Sequence, residues 1–254
     1  MGNREPGIAP HAAAASAHAG AGVTQAAGVP AAAVDQSAPL RLAVLASGRG
    51  SNLQAILDAI AVGTLNATVV GVFSDRPRAA ALHRARDAGA HAQALSPRDF
   101  TSRAAFDQAL FDAVDAVTPE LIVCAGYMRL IDAAAIAPRP GRIINIHPSL
   151  LPAFKGLHTH RQALAAGVAE HGASVHFVTA DLDGGPVIAQ ARVPVLPGDD
   201  EDALAARVLA REHPLLLATL RLFTDREVML REDSVHIRGE RTAPLQLSSN
   251  NAFA

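Results

Sequence analysis

The amino-acid sequence predicts an α/β fold: a mostly parallel, twisted sheet with helices on both faces and an antiparallel strand pair toward the C-terminus. Three observations predict it. Short, continuous apolar runs, typical of strands buried on both faces, alternate with segments whose apolar residues recur at helical spacing. The connections between successive runs from Leu40 to Ile146 are long enough for crossover helices, which parallel pairing requires. Two later runs, Ser174–Thr179 and Val187–Val195, are separated by only a short acidic turn, which suits antiparallel pairing.

Taken in order, Leu40 to Ala46 reads as a first strand that stops at Ser47-Gly48-Arg49-Gly50, and a helix follows through Leu53, Ile56, Leu57 and Ile60. The Val-rich run Ala67 to Phe73 is the second strand. Ala79 to Ala88 reads as a helix closed by Gly89, with a short strand at His91–Leu95. Ser102 to Val117 is amphipathic, carrying Phe106, Leu110 and Val114 at spacings of four, and Pro119 breaks it before the buried-type strand Leu121–Cys124. Arg142 to Ile146 is a further strand, ending at His147-Pro148, and a short helix is expected over Arg161–Ala166. A last long helix from Asp200 to about Phe223 covers the sheet.

These elements delimit one domain over residues 40–232. Residues 1–39 are rich in Ala, Gly and Pro and carry only Arg4, Glu5 and Asp35 as charges, so they have few large apolar groups to offset chain entropy; a disordered extension is expected. Residues 233–254 show little periodicity and read as a C-terminal tail that wraps or frays. No apolar run is long enough for a signal h-region or a membrane span. The net charge of −2 argues against a general nucleic-acid or acidic-membrane partner. The single cysteine, Cys124, excludes an intrachain disulfide framework and fits a reducing, cytoplasmic compartment.

Three stretches can carry chemistry. Ser47-Gly48-Arg49-Gly50-Ser51-Asn52 sits where a strand turns into a helix, a place where backbone N–H groups and the helix dipole favour an anion. It lacks the Lys-Ser/Thr of a nucleotide P-loop and the third glycine of a dinucleotide fingerprint, so it suits a small phosphate; the structural alternative is a tight turn with Ser51 as N-cap. Asn145 and His147, two apart at a strand end, project to one side, where an amide donor and an imidazole suit a reaction with a developing oxyanion. The alternative is a polar pair capping backbone groups. Asp181-Leu182-Asp183-Gly184-Gly185-Pro186 is an acidic turn whose carboxylate, if brought to His147, would orient the ring; otherwise it does turn chemistry alone. His158-Thr159-His160 has no partner cluster at zinc spacing, so no metal is expected, and Cys124 reads as a buried small residue.

Read together, Ala46-Ser-Gly-Arg-Gly-Ser-Asn-Leu-Gln-Ala55, Ala125-Gly-Tyr-Met-Arg129, Asn145-Ile-His-Pro-Ser-Leu-Leu-Pro152, Gly156-Leu-His-Thr-His160 and the segment Ser174 to Pro186 closely resemble the folate-dependent phosphoribosylglycinamide formyltransferase family, from about Leu40 to about Arg231. The resemblance implies a formyltransferase-like, Rossmann-type domain that moves a formyl group from 10-formyltetrahydrofolate, a co-substrate, to the glycinamide amine of 5-phosphoribosylglycinamide in purine synthesis. It implies Asn145, His147 and Asp183 as the catalytic trio, with His176 as a supporting neighbour. It implies Gly50, Ser51, Asn52 and Glu212 for the ribonucleotide. For the folate it implies Arg103, Met128, Arg129, Leu130, Ile131 and Asn145. Small molecules are then the partners, with no metal, nucleic acid or membrane, in a cytoplasmic monomer or homodimer. Lys155, the one lysine, falls in a variable loop beside the site.

Formyltetrahydrofolate deformylase resembles the catalytic half but carries an N-terminal regulatory domain that the Ala-rich residues 1–39 cannot form. Methionyl-tRNA formyltransferase adds a basic C-terminal barrel for which about 30 residues after the last helix leave no room. A non-catalytic folate- or nucleotide-binding module would be expected to lose part of the Asn/His/Asp trio, and all three are present.

Overall fold

Almost every residue of Leu40–Leu45 (β1) is buried, and its side chains alternate between two cores, as the period of a strand requires. Leu42 and Val44 face one side and Ala43 and Leu45 the other. The computed structural model describes residues 38–253; the extension expected over 1–39 lies outside the described residues apart from Ala38 and Pro39.

After β1 the chain runs through α1 (Ser51–Ala61), β2 (Ala67–Ser74), α2 (Ala80–Asp87) and β3 (Ala92–Ala94). A 3-10 turn at Pro97–Asp99 leads into α3 (Arg103–Ala116), capped by Ser102, whose Oγ accepts from the Ala105 N–H at 3.1 Å. Then follow β4 (Leu121–Cys124), α4 (Ala133–Ile136), β5 (Ile143–His147), α5 (Thr159–Ala165), β6 (Glu170–Phe177), β7 (Val187–Pro194) and α6 (Glu201–Thr224). The last strands are β8 (Val228–Arg231), β9 (Ser234–Ile237), β10 (Glu240–Arg241) and β11 (Leu245–Gln246).

The main sheet has the order β11-β7-β6-β5-β4-β1-β2-β3. Pairings among β1 to β5 are parallel, β6 is antiparallel to both β5 and β7, and β11 pairs parallel with β7. The expected antiparallel pair is therefore β6 and β7, and β6 is the single reversed strand of the sheet. One face is covered by α1, α2 and α6 through Leu53, Ile56, Leu82, Leu204, Val208 and Leu215, all fully buried. The other is covered by α3 through Phe106, Leu110 and Val114, the residues whose spacing signalled that helix. Burial of such side chains stabilises by roughly 1.5–3 kcal/mol each before entropy is counted.

Three departures from the sequence expectation have physical causes. β6 begins at Glu170, four residues before Ser174, because His171 and Gly172 continue the ladder against Val193 and Arg192 of β7. Helix α5 starts at Thr159, not Arg161, with His158 at its N-cap in the left-handed region. The stretch from Ser234, where pattern is weak, forms β9 and β10, which join β8 in a small antiparallel sheet, and β11 on the edge of the main one; strands of two to four residues are too short to display a period.

Candidate active site

The chain leaves β1 toward β2 and β3 on one side of the sheet and returns to β4 and β5 on the other, so the carboxyl ends of β1 and β4 diverge at a switch point, where open α/β sheets place their ligands. A cavity of about 1010 Å³ opens there. Its walls come from the loop after β1, the loop after β4, the end of β5, the Asp181–Asp183 turn and the inner face of α6.

At the floor, His147 is 5% exposed. Its Nε2 lies 3.1 Å from the Phe154 carbonyl and its Nδ1 lies 3.5 Å from Asp183 Oδ2. Nε2 therefore faces a carbonyl acceptor at hydrogen-bond distance, and Nδ1 faces a carboxylate at ion-pair distance. Asp183 is held in turn: its Oδ2 accepts the Gly156 N–H at 2.8 Å, and its backbone sits in the left-handed region at φ 44°. Gly185 makes this turn possible, because a Cβ there would lie 1.9 Å from the Phe177 carbonyl oxygen.

His176 sets the orientation of Asn145. Its Nδ1 is 2.8 Å from the Phe177 carbonyl, which can only accept, so Nδ1 carries the proton. Burial pushes the His176 pKa down to about 4, so the ring is neutral and its Nε2 accepts. Asn145 Nδ2, 3.1 Å away, is then the donor, and its second N–H is free for the cavity. The nearby Asp183 Oδ1, 3.7 Å from His176 Nε2, is beyond hydrogen-bond reach.

At the other end of the cavity, α1 begins on Gly50, which has φ 72° and offers no side-chain cap. The N-cap is thus Gly50 and not Ser51, because only a left-handed residue turns the chain tightly enough here, and a Cβ at this position would meet Ala81 at 2.8 Å. The first N–H groups of α1 stay without side-chain acceptors, the condition for an anion site. Asn52 Nδ2 donates to Glu212 Oε2 at 3.1 Å, and burial raises the Glu212 carboxyl above the usual range, with the Asn52 bond opposing that shift.

The loop after β4 supplies an apolar wall. Met128, Leu130, Leu157 and Leu182 all line the cavity and are between 43% and 64% exposed, a cluster of large exposed apolar groups that a flat organic ring would cover. Ile131 is buried, and the Arg129 guanidinium lies 5.0 Å over the Phe106 ring. Ser47 Oγ accepts the Met128 N–H at 2.9 Å and ties this loop to the end of β1.

The structure thus brings together Gly50, Ser51, Asn52, Met128, Arg129, Leu130, Ile131, Asn145, His147, His176, Asp183 and Glu212 around one cavity. It does not bring Arg103 there: that side chain lies outside the lining and pairs at 3.3 Å with Asp132 Oδ2. Cys124 is 3% exposed, and burial pushes its thiol up to about 12, as its apolar run suggested. His158-Thr159-His160 contributes no metal cluster among the described residues. Sequence reasoning missed the Phe154 carbonyl and the Gly156 N–H, because backbone groups carry no residue-type signal. It also missed Glu201 and Asp202, which line the cavity from the first turn of α6 and whose charge has an ordinary helix-start explanation.

Comparison with known proteins identifies the family. The formyl transferase family model matches residues 40–220. The Escherichia coli (strain K12) phosphoribosylglycinamide formyltransferase is 47% identical over 205 residues, 81% of this chain and 97% of that protein. The Coxiella burnetii phosphoribosylglycinamide formyltransferase structure superposes with a TM-score of 0.78 at 43% identity, covering 81% of this chain and 96% of that one. A formyltetrahydrofolate deformylase from Burkholderia mallei is more distant at 30% identity and a TM-score of 0.72, with 71% of its length covered. The chain belongs to the phosphoribosylglycinamide formyltransferase family.

Proposed function

We propose that this chain transfers the formyl group of 10-formyltetrahydrofolate to the glycinamide amine of 5-phosphoribosylglycinamide, a step of de novo purine biosynthesis in the cytoplasm. The observation that carries this reading is the convergence of Asn145, His147 and Asp183 in one cavity that also holds the uncapped start of α1. The cavity fits both substrates. The α1 end suits a phosphate, Glu212 suits ribose hydroxyl donors, and the Met128–Ile131 wall suits a pterin with backbone hydrogen bonds.

In the reaction the amine nitrogen attacks the formyl carbon and its carbonyl oxygen gains negative charge. The free N–H of Asn145 donates to that oxygen, and the His147 ring, fixed by Asp183 and the Phe154 carbonyl, adds positive charge beside it. As the bond from carbon to the folate nitrogen breaks, the proton lost by the attacking amine passes to that nitrogen, a transfer that His147 assists in this reading. Neutral His176 keeps the Asn145 amide aimed, and Asp183 is the counter-charge that orients His147. The residues need no metal and form no covalent link to substrate in this scheme. Arg103, paired with Asp132 outside the cavity lining, takes no part in this scheme.

The test is amine dependence. Purified protein given 10-formyltetrahydrofolate should release tetrahydrofolate only after 5-phosphoribosylglycinamide is added. Release without the amine would mean transfer to water, the deformylase reaction, and no release under either condition would mean a binding module.

A further inference from the structure

The loop from Ser47 to Gly50 is gripped from behind by α2. The Ala81 N–H donates to the Gly48 carbonyl at 3.2 Å, and Arg84 Nε donates to the Arg49 carbonyl at 2.9 Å. Arg84 Nη1 also donates to Gln54 Oε1 at 2.7 Å, one turn into α1. The Gly50 carbonyl is taken by the Gln54 N–H at 2.9 Å, so the Gly48, Arg49 and Gly50 carbonyls all have donors. Ala81 and Arg84 do not line the cavity, whereas Gly48, Arg49, Gly50, Ser51 and Asn52 do.

In a trans peptide unit the carbonyl of one residue and the N–H of the next point in opposite directions. Holding the Arg49 carbonyl toward Arg84 therefore turns the Gly50 N–H away from α2. The Ala81 contact with the Gly48 carbonyl does the same for the Arg49 N–H. Among the described residues neither N–H donates to a protein acceptor. Asn52 is 7% exposed and its Nδ2 is committed to Glu212, while its Oδ1 has no partner; as an acceptor, that oxygen suits a hydroxyl of the same ligand and not its phosphate.

We infer that Arg84 is a positioning residue for the substrate's phosphate, holding the Arg49 carbonyl back so that the Gly50 N–H faces the anion. The guanidinium does this through hydrogen-bond direction and not as a free charge, since two of its nitrogens are committed to the loop and to Gln54. The inference rests on the proposed function, which makes the anion a ribonucleotide phosphate.

Substitution by glutamine separates direction from charge, because its Nε2 is bonded to Cδ as the arginine Nε is. Arg84→Ala is expected to raise KM for 5-phosphoribosylglycinamide about tenfold, the net worth of about one hydrogen bond. It is expected to weaken competitive inhibition by inorganic phosphate to a similar degree and to leave kcat and the KM for the formyl donor within about twofold. Arg84→Gln should keep the ribonucleotide KM within about threefold of the parent. If Arg84→Ala does not fold, Arg84→Met takes its place, keeping the aliphatic stem and removing every donor. An unchanged ribonucleotide KM in the donor-less variant, or a Gln variant as weak as the Ala one, overturns the inference. A parent protein that moves no formyl group to the amine overturns the underlying reading instead.

Discussion

His147 has an acceptor at each ring nitrogen, and Asn145 has one N–H committed and one open, so the two side chains nearest the chemistry are both aimed by neighbours that do not react. Asn145→Ala should lower kcat by about 100- to 1000-fold, the usual effect of losing one preorganised donor to an oxyanion, with KM for either substrate little changed; steady-state kinetics checks it. His176 carries a pH consequence. Its folded pKa, about 4, lies below the ordinary 6.5, so the unfolded chain binds more protons between those values and stability rises with pH across that window. His171, also about 4 through burial, adds a slope of the same sign. The contribution is present above about pH 6.5 and is lost as pH falls toward 4. Urea unfolding midpoints of His176→Asn should therefore depend less steeply on pH between 6.5 and 4.5 than those of the parent; an equal slope would contradict the assignment. Much at this scale was legible beforehand. The spacing of Asn145 and His147 on one strand gave their common direction, but the left-handed backbone of Asp183 and the carbonyl of Phe154 have no signature in residue types.

Helix α6 does two jobs with one amphipathic stripe. Leu204, Val208 and Leu215 bury against the sheet while Glu212 turns into the cavity. Its start is fixed by Asp200, whose carboxylate accepts the Ala203 N–H at 2.8 Å and sits at the positive end of the helix. Asp200→Ala should cost about 1 kcal/mol of stability by denaturant unfolding. Elements of this length were legible because eleven or more residues repeat the period several times. The four-residue α4 and the strands β8 to β11 were not, because their short spans hold one turn or one alternation, and they form through contacts with distant chain. The start of α1 illustrates a different failure. Ser51 has the residue type of an N-cap, but α2 packs so closely that only a glycine fits at position 50, and packing decides where the helix begins.

At the scale of the molecule, the sheet order places the ends of β1, β4 and β5 side by side, and this is what joins residues as distant as Gly50, Asn145 and Glu212 in one cavity. Alternating strand and helix patterns predicted a parallel sheet, and motif order predicted the family, but the reversed direction of β6 follows from its two ladders and was visible only as a short connection to β7. Among the described residues, every cavity residue lies between Gly48 and Glu212. A chain beginning at Ala38 is therefore expected to fold and to keep kcat within about twofold of the full chain, as thermal unfolding and kinetics would reveal. If the trio of Asn145, His147 and Asp183 performs amine-dependent formyl transfer, kcat of purified, folded His147→Ala must show it. With 5-phosphoribosylglycinamide and 10-formyltetrahydrofolate both saturating, kcat should fall about 100-fold or more. A folded His147→Ala enzyme that turns over at near the parent rate would contradict it.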